Sequence, residues 1–451
     1  VLLPTLGSAG DVHPFIGLGL ALVARGHRAT IITNPWFQPL IESQGLGFLP
    51  VGSLEQVESA VADPDLWHAR KGFSVVARRV IVPSIEPIYR LIEKHAAADT
   101  VVAASSISLG ARVAQDKLGI PTATVHLQPI VIRSLIDQGM FGSFRLSAAQ
   151  PMWFKRAFFR LADWAAIDRI LARPLNEFRA TLGLEPVHRT LERWIHSPQC
   201  VIGFFPDWFA TPQTDWPPHV HLVGFPLWDG GRGWDGGRGW DGGRGWDGGG
   251  GWDGAGGRDG GGGAAALPAE AEAFLNESNA PLVFTAGSAA STLDEFFAES
   301  IGAARRLDAR ALLVTNFPQQ LPRELPRGVR AFGYLPFSAV LPRAALIVHH
   351  GGIGTLAQAI KSGIPQLIVP KSHDQFDNAW RIEQLGLGRS IPQGRYRAAA
   401  AAQALRALLD DRSTSQVARE YSRRIDSASA LARACELIES LPAPGSPAHR
   451  A

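Results

Sequence analysis

Two Gly-rich turns hold the residue types on which chemistry could rest. The first reads Gly7-Ser8-Ala9-Gly10-Asp11-Val12-His13-Pro14, between an apolar run and an apolar-periodic stretch. Gly7 and Gly10 allow a tight turn and a close backbone approach to a ligand. Pro14 suits a first helical turn. Asp11 is then placed at or just before a helix start, at the carboxyl end of the first strand, the edge where open α/β sheets bind ligands. It is either an N-cap or an acid facing a bound ligand. A carboxylate beside a helix start is expected to be ionised at neutral pH and hence weakly basic. His13 is a packed side chain, a surface residue of the helix start, or a catalytic group.

The second turn reads His349-His350-Gly351-Gly352-Ile353-Gly354-Thr355 after a short apolar strand, with a helix predicted from near Thr355. Free N–H groups and the positive end of a helix dipole make an anion site, and the two histidines add donors. Pyrophosphate is its natural occupant. The next strand-like run ends at Pro370, and Asp374 and Gln375 follow. A carboxylate and an amide at a strand's end can hold the vicinal hydroxyls of a sugar. A third strand-like run ends in Gly287-Ser288, where the Ser288 hydroxyl can donate to a phosphate. Tyr334 is an aromatic able to stack on a base, or else a core tyrosine.

Other chemistries find no footing. The first turn lacks the G-x-G-x-x-G spacing of a dinucleotide fingerprint, and the sequence holds no Walker P-loop and no G-x-S-x-G elbow. Asp63 and Asp65 read as a turn, and Cys200 and Cys435 lack metal-ligand spacing, so no metal site is expected. Two cysteines in 451 residues argue against a disulfide framework and fit a reducing compartment.

These turns must be positioned by a particular kind of scaffold. Strand-like runs alternate with helical patterns, first in 1–7, 27–33, 46–51, 99–105 and 120–127, then again in 281–288, 310–315, 329–335, 345–352 and 365–370. A helix is expected from Pro14 to about Arg25, and others near 37–44 and 109–119. Such alternation predicts parallel sheets wrapped by helices. The fold class is therefore α/β, with an N-terminal domain over 1–227 and a C-terminal domain over 267–451, whose last helix can pack back on the first. Between them, 228–266 repeats a Trp-Asp-Gly-Gly-Arg-Gly unit without the branched apolar residues a solenoid would stack, and reads as a flexible insert.

Composition narrows the classes further. Apolar content of 46% with 19% charged residues describes a globular chain, and a formal charge of only +3 with no Lys/Arg stripe disfavours nucleic acid. No apolar run reaches transmembrane length and the first residues are strand-like rather than a signal core. A cytoplasmic location is expected, including a peripheral place at the inner membrane face. The stretch from Ala148 to Pro174, rich in Trp, Phe, Arg and Lys, is a packing helix, a lip over an apolar acceptor groove, or a contact with an anionic membrane surface.

Taken with the runs Trp194–Gln199, Asp215–Pro217 and Val223–Leu227, the two turns resemble the family 1 nucleotide-sugar glycosyltransferases, and within them the bacterial branch that includes the rhamnosyltransferases of rhamnolipid synthesis. The resemblance spans the chain apart from the Trp/Gly insert. It implies the GT-B fold, two Rossmann-like domains facing a cleft. It implies that Gly351, Gly352, Gly354, Thr355 and His350 bind the donor's pyrophosphate, with His349 adjacent to the match. Ser288 would touch phosphate, Tyr334 would stack on the base, and Asp374 and Gln375 would hold the sugar. Gln358 stands where many plant members carry a ribose-binding Glu. Asp11 occupies the slot of the family's catalytic His, and Ser105 the place of the acid that assists that His, so Asp11 would act directly. Gly10, Ser105 and His126 fall on the acceptor side.

The implied reaction is an inverting, metal-independent hexosyl or deoxyhexosyl transfer, with no cofactor beyond a nucleoside-diphosphate sugar. dTDP-rhamnose is the first donor expected and UDP-glucose the second; the acceptor is a hydroxyl of a hydrophobic or lipid-like molecule. A nucleotide-sugar isomerase and a silent sugar-nucleotide-binding subunit are the rival readings.

Overall fold

The structure is a computed structural model that describes residues 1–137, 139–140, 142, 144–146, 149–230, 267–277, 279–287 and 294–441. Ser288 and the repeat beyond Gly230 therefore lie outside the described residues. The chain divides into two compact units, Val1–Pro226 with Ser372–Asp377 and Asp426–Ala451, and Leu227–Lys371 with Asn378–Ile425.

The first unit is built on the strands β1 (Leu2–Pro4), β2 (Thr30–Thr33), β3 (Gly47–Pro50), β4 (Val102–Ser105), β5 (Thr122–His126), β6 (Cys200–Gly203) and β7 (Val220–Leu222). They pair in parallel in the order β3-β2-β1-β4-β5-β6-β7. Residue Leu2 stands opposite both Thr30 and Val102, so the strand order reverses at β1 and β4. β4 and β5 are buried along their whole length because helices cover both faces. Their core joins Leu6, Ile32, Ile88, Tyr89, Val102 and Val113; each such side chain contributes roughly 1.5–3 kcal/mol by leaving water.

The second unit repeats the plan with β8 (Leu282–Thr285), β9 (Ala311–Val314), β10 (Val329–Phe332), β11 (Leu346–His349), β12 (Gln366–Ile368) and β13 (Gly388–Ser390), in the order β10-β9-β8-β11-β12-β13. Here the reversal lies between β8 and β11, with His349 opposite Thr285. Val283, Leu312, Ile347 and Ala359 belong to its core.

Two local expectations are corrected. The first helix runs Ala9–Ala24, five residues earlier than Pro14, which lies inside it. Ser8 and Asp11 start the helix by hydrogen bonding to each other, and that signal outweighs proline as a marker. Gly10 is accordingly a helical residue whose added Cβ would meet only the Ser8 hydroxyl, at 3.8 Å. The second turn leads into a helix over Ile353–Ser362 with Gly352 as its N-cap, so the helix starts before Thr355.

Sequence order does not decide unit membership. The last helix, Ser427–Glu439, packs in the first unit, where Glu439 accepts from Arg25 at 2.8 and 2.6 Å and meets His27 at 2.9 Å. Ser372–Asp377 also falls in the first unit. There His373 Nε2 meets the Leu66 carbonyl at 3.1 Å, and the Met140 N–H donates to Asp377 Oδ1 at 2.9 Å.

Candidate active site

The acid of the first turn is held from one side only. Gly7 has φ +121°, and a Cβ there would fall 2.3 Å from Asp11 Oδ2, so only glycine lets the carboxylate approach the strand end. Oδ2 accepts the Ser8 N–H at 2.8 Å and the Ser8 hydroxyl at 3.1 Å. Oδ1 accepts no hydrogen bond among the described residues. Burial raises the Asp11 pKa to about 6 against the opposing pull of the two Ser8 bonds. The expected weak base is thus a better one, because desolvation outweighs the helix start.

His13 is two residues on, buried, with its ring edge against Phe37 at 6.5 Å. Burial lowers its pKa to about 3, so it is neutral throughout the physiological range. Ser105, at the end of β4, is buried and shares a 2.8 Å hydrogen bond with Ser108. It brings no acid to Asp11. His126, at the end of β5, meets His196 Nδ1 through Nε2 at 2.9 Å, and the rings cross at 73°. Both are buried and their pKa values are lowered, His196 to about 4, so the pair is neutral.

In the second unit the other Gly-rich turn follows β11. His349 and His350, adjacent in sequence, have separate fates. His349 is fully buried: Nδ1 accepts the Gly351 N–H at 3.1 Å and Nε2 pairs with Gln366 Oε1 at 2.9 Å. Since an amide oxygen can only accept, the Nε2–H tautomer is fixed. Both nitrogens are committed within the protein. The Gly351 carbonyl is held in turn by Asn378 Nδ2 at 2.9 Å. This clamp fixes a peptide with φ +95°, which glycine adopts without strain.

His350 is half-buried, and burial lowers its pKa to about 4. Its ring lies over two glycines: a Cβ on Gly287 would come within 2.6 Å of it and one on Gly352 within 2.5 Å. Gly352, Gly354 and Thr355 stay partly accessible at the first helical turn, where backbone N–H groups lack helical partners. Gln358 is buried one turn further along.

The remaining candidates are placed as follows. Asp374 is half-buried and precedes the helix Gln375–Gln384; Gln375 is buried, and its Oε1 accepts the Ser372 N–H at 3.1 Å. Asp374 and Gln375 fall in the first unit and the His350 turn in the second. The Tyr334 hydroxyl donates to the Asp229 carbonyl. The Asp229 carboxylate caps Ser338 at 2.7 Å (N–H) and 3.1 Å (hydroxyl). Among the described residues no cluster of three or more His, Cys, Asp or Glu could hold a metal ion.

Gln366, Asn378 and His196 escaped the sequence reading as site-supporting residues. Gln366 is a polar residue inside the apolar run of β12, and that interruption was the available signal.

Two parallel-sheet units, each with a polar Gly-rich turn at its point of strand reversal, follow the plan of the GT-B fold. A profile described as "Glycosyltransferase family 28 N-terminal domain" matches residues 1–131, and one described as "Erythromycin biosynthesis protein CIII-like, C-terminal domain" matches residues 298–439. The chain is 27% identical to an O-mycaminosyltylonolide 6-deoxyallosyltransferase of Streptomyces fradiae, with 97% of this chain and 96% of that protein covered. It is 23% identical to a sterol 3-beta-glucosyltransferase of Candida albicans, over 87% of this chain but only 24% of that longer protein. Among solved structures, the spinosyn rhamnosyltransferase SpnG complexed with thymidine diphosphate matches with a TM-score of 0.63 at 18% identity, covering 96% of this chain and 99% of that one. The protein is a nucleotide-sugar glycosyltransferase with the GT-B fold. The matches point to the family 28 and EryCIII-like type and do not single out the rhamnolipid enzymes.

Proposed function

We propose that this enzyme transfers a deoxyhexosyl group, with inversion, from a dTDP-linked sugar to a hydroxyl of a hydrophobic acceptor. The observation that carries the reading is Asp11: a half-buried carboxylate with one oxygen fixed by Ser8, the other uncommitted, and a pKa of about 6. A base poised near the working pH suits the removal of a proton from an alcohol as the glycosidic bond forms.

Asp11 Oδ1 takes the acceptor proton while the acceptor oxygen attacks the anomeric carbon and the nucleoside diphosphate leaves. His350 and the backbone N–H groups of Gly352, Gly354 and Thr355 receive the charge on the departing diphosphate, so the scheme asks for no metal. Asp374 and Gln375 hold sugar hydroxyls, Gln358 contributes on the ribose side and Tyr334 lies at the base. Ser288 donates to phosphate. Gly10 and Ser105 shape the acceptor side, and the neutral His126–His196 pair supplies polarity there. Deoxysugar transfer is supported by the Streptomyces relative's name, and a hydrophobic acceptor by both relatives' names. dTDP-rhamnose is the first donor to try and UDP-glucose the second.

The test is a mass-spectrometric transfer assay. It crosses dTDP-rhamnose, UDP-glucose and UDP-GlcNAc with macrolide aglycones, sterols, hydroxy-fatty lipids and phenols, for the wild type and Asp11→Asn. A product that disappears in the variant is expected. Donor binding with no product from any acceptor would move the assignment to a silent subunit.

A further inference from the structure

The helix Met152–Ala162 and the wider turn Asp163–Asp168 that continues it turn their apolar face outward. Trp153 is 70% exposed, Leu161 63% and Trp164 64%. Of the eleven large apolar side chains exposed among the described residues, seven fall between Ile136 and Trp164. An apolar patch of this kind marks a surface that something covers.

The inner face of the same helix is already satisfied. Lys155 is buried and donates to the Leu135 carbonyl at 3.2 Å. The Arg133 guanidinium lies 4.6 Å from the Phe159 ring centre and pairs with Asp163 through both carboxylate oxygens. The helix is therefore anchored in this orientation and its outer stripe is not a core face awaiting a partner helix.

Charge selects the occupant. Arg156, Arg160 and Arg169 are exposed, and their side chains make no ion pair or hydrogen bond among the described residues. The acids of this stretch are turned away: Asp163 is taken by Arg133, and Asp168 Oδ1 is buried. The outward surface thus combines Trp, Leu and Trp with uncompensated positive charge. Trp side chains settle at the boundary between water and hydrocarbon, and arginines reach anionic headgroups from the flank of an inserted helix. We propose that this helix seats on an anionic lipid surface, with Trp153, Leu161 and Trp164 inserted and Arg156, Arg160 and Arg169 against the headgroups. The inference does not depend on which sugar is transferred.

The full chain would be sedimented with vesicles of phosphatidylcholine alone and of phosphatidylcholine mixed with phosphatidylglycerol, at low and high salt. Two variants accompany it: Trp153→Ser/Leu161→Ser/Trp164→Ser and Arg156→Gln/Arg160→Gln/Arg169→Gln. Circular dichroism and dTDP binding check that both keep the fold. Binding to the anionic vesicles is expected, weakened by salt and weakened about tenfold or more in each variant. Failure to bind anionic vesicles would overturn the proposal, as would equal binding to both vesicle types that ignores the arginine variant. A concentration-dependent dimer abolished by the triple Ser variant, without vesicle binding, would also overturn it by showing that a second copy covers the patch.

Discussion

Nδ1 of His349 accepts the backbone N–H of Gly351 at 3.1 Å, and the Gly351 carbonyl is held by Asn378 at 2.9 Å. Gly351, just ahead of the helix Ile353–Ser362, is thereby gripped at both its backbone polar groups. In the proposed reaction His349 is therefore a positioning residue, because both its ring nitrogens are committed within the protein, and the donor contact is assigned to His350. Removing the acceptor strands a buried N–H, which costs about 1–3 kcal/mol. His349→Ala should raise the KM for the donor about tenfold while kcat moves less. His349→Asn, whose Oδ1 can take the same N–H, should recover most of the loss. Steady-state kinetics decides: an equal loss in both variants, or a fall in kcat alone, would remove His349 from this role.

Asp11 carries a pH signature. Its pKa is raised from 3.8 to about 6, and the base must be ionised to act. kcat/KM should therefore rise with pH through about 6 and then level. Asp11→Asn should lower turnover by ~10²–10⁴-fold and leave the donor Kd unchanged. Stability runs the other way. A raised carboxylate costs the folded state once it ionises, so stability falls between the unfolded value and about 6. At neutral pH the Asn variant should be the more heat-stable protein, measurable by calorimetry.

His13 provides the control on that assignment. It is buried against Phe37 and neutral, so His13→Ala should act through packing, costing about 1–3 kcal/mol of stability. The acidic limb of the rate profile should stay where Asp11 places it. Loss of that limb in a folded His13→Ala protein would transfer the role of base from Asp11 to His13.

Much of this arrangement could be read from residue types. Apolar runs six to eight residues long announced most of the buried parallel strands, and the two glycine turns fell where those strands end. Three strands were not read: β6, the buried four-residue segment Cys200–Gly203, and β7 and β13, whose segments Val220–Leu222 and Gly388–Ser390 lie at sheet edges and carry little apolar pattern. Proline misled at Pro14, because the Ser8–Asp11 hydrogen bonds fix the helix start instead. The strength of Asp11 as a base depends on how much water is removed around it, which spacing does not encode. His126 and His196 meet only because β5 and the segment before β6 converge across 70 positions. The split between His349 and His350 follows from Gln366, a strand away.

Gly287 tests the support of His350. Its φ is +93°, and a Cβ there would lie 2.6 Å from the imidazole. Gly287→Ala is therefore strained in the backbone by roughly 1–3 kcal/mol and also pushes the ring away from the turn. The expected result is a higher donor KM together with a lower Tm. Gly26→Ala, at φ +92° with nothing near the added carbon, should lower Tm without touching donor KM. If the two variants show the same KM, Gly287 does not hold the site.

The C-terminal helix should come loose in acid, for a reason lodged in one carboxylate. Glu439 accepts two hydrogen bonds from Arg25 and pairs with His27, and these bonds hold its pKa down to about 2 from 4.5. A depressed carboxylate stabilises the folded state above its unfolded pKa and loses that contribution as pH falls toward the folded value. Hydrogen exchange over Ser427–Glu439 should therefore be slower in the wild type than in Glu439→Gln at pH 5. The difference should shrink steadily as the pH approaches 2 and at high salt, since the pair is exposed and screened. Equal protection of the two proteins at pH 5 would mean that apolar packing through Ala430, Ala434 and Leu437 holds the helix without help from this pair.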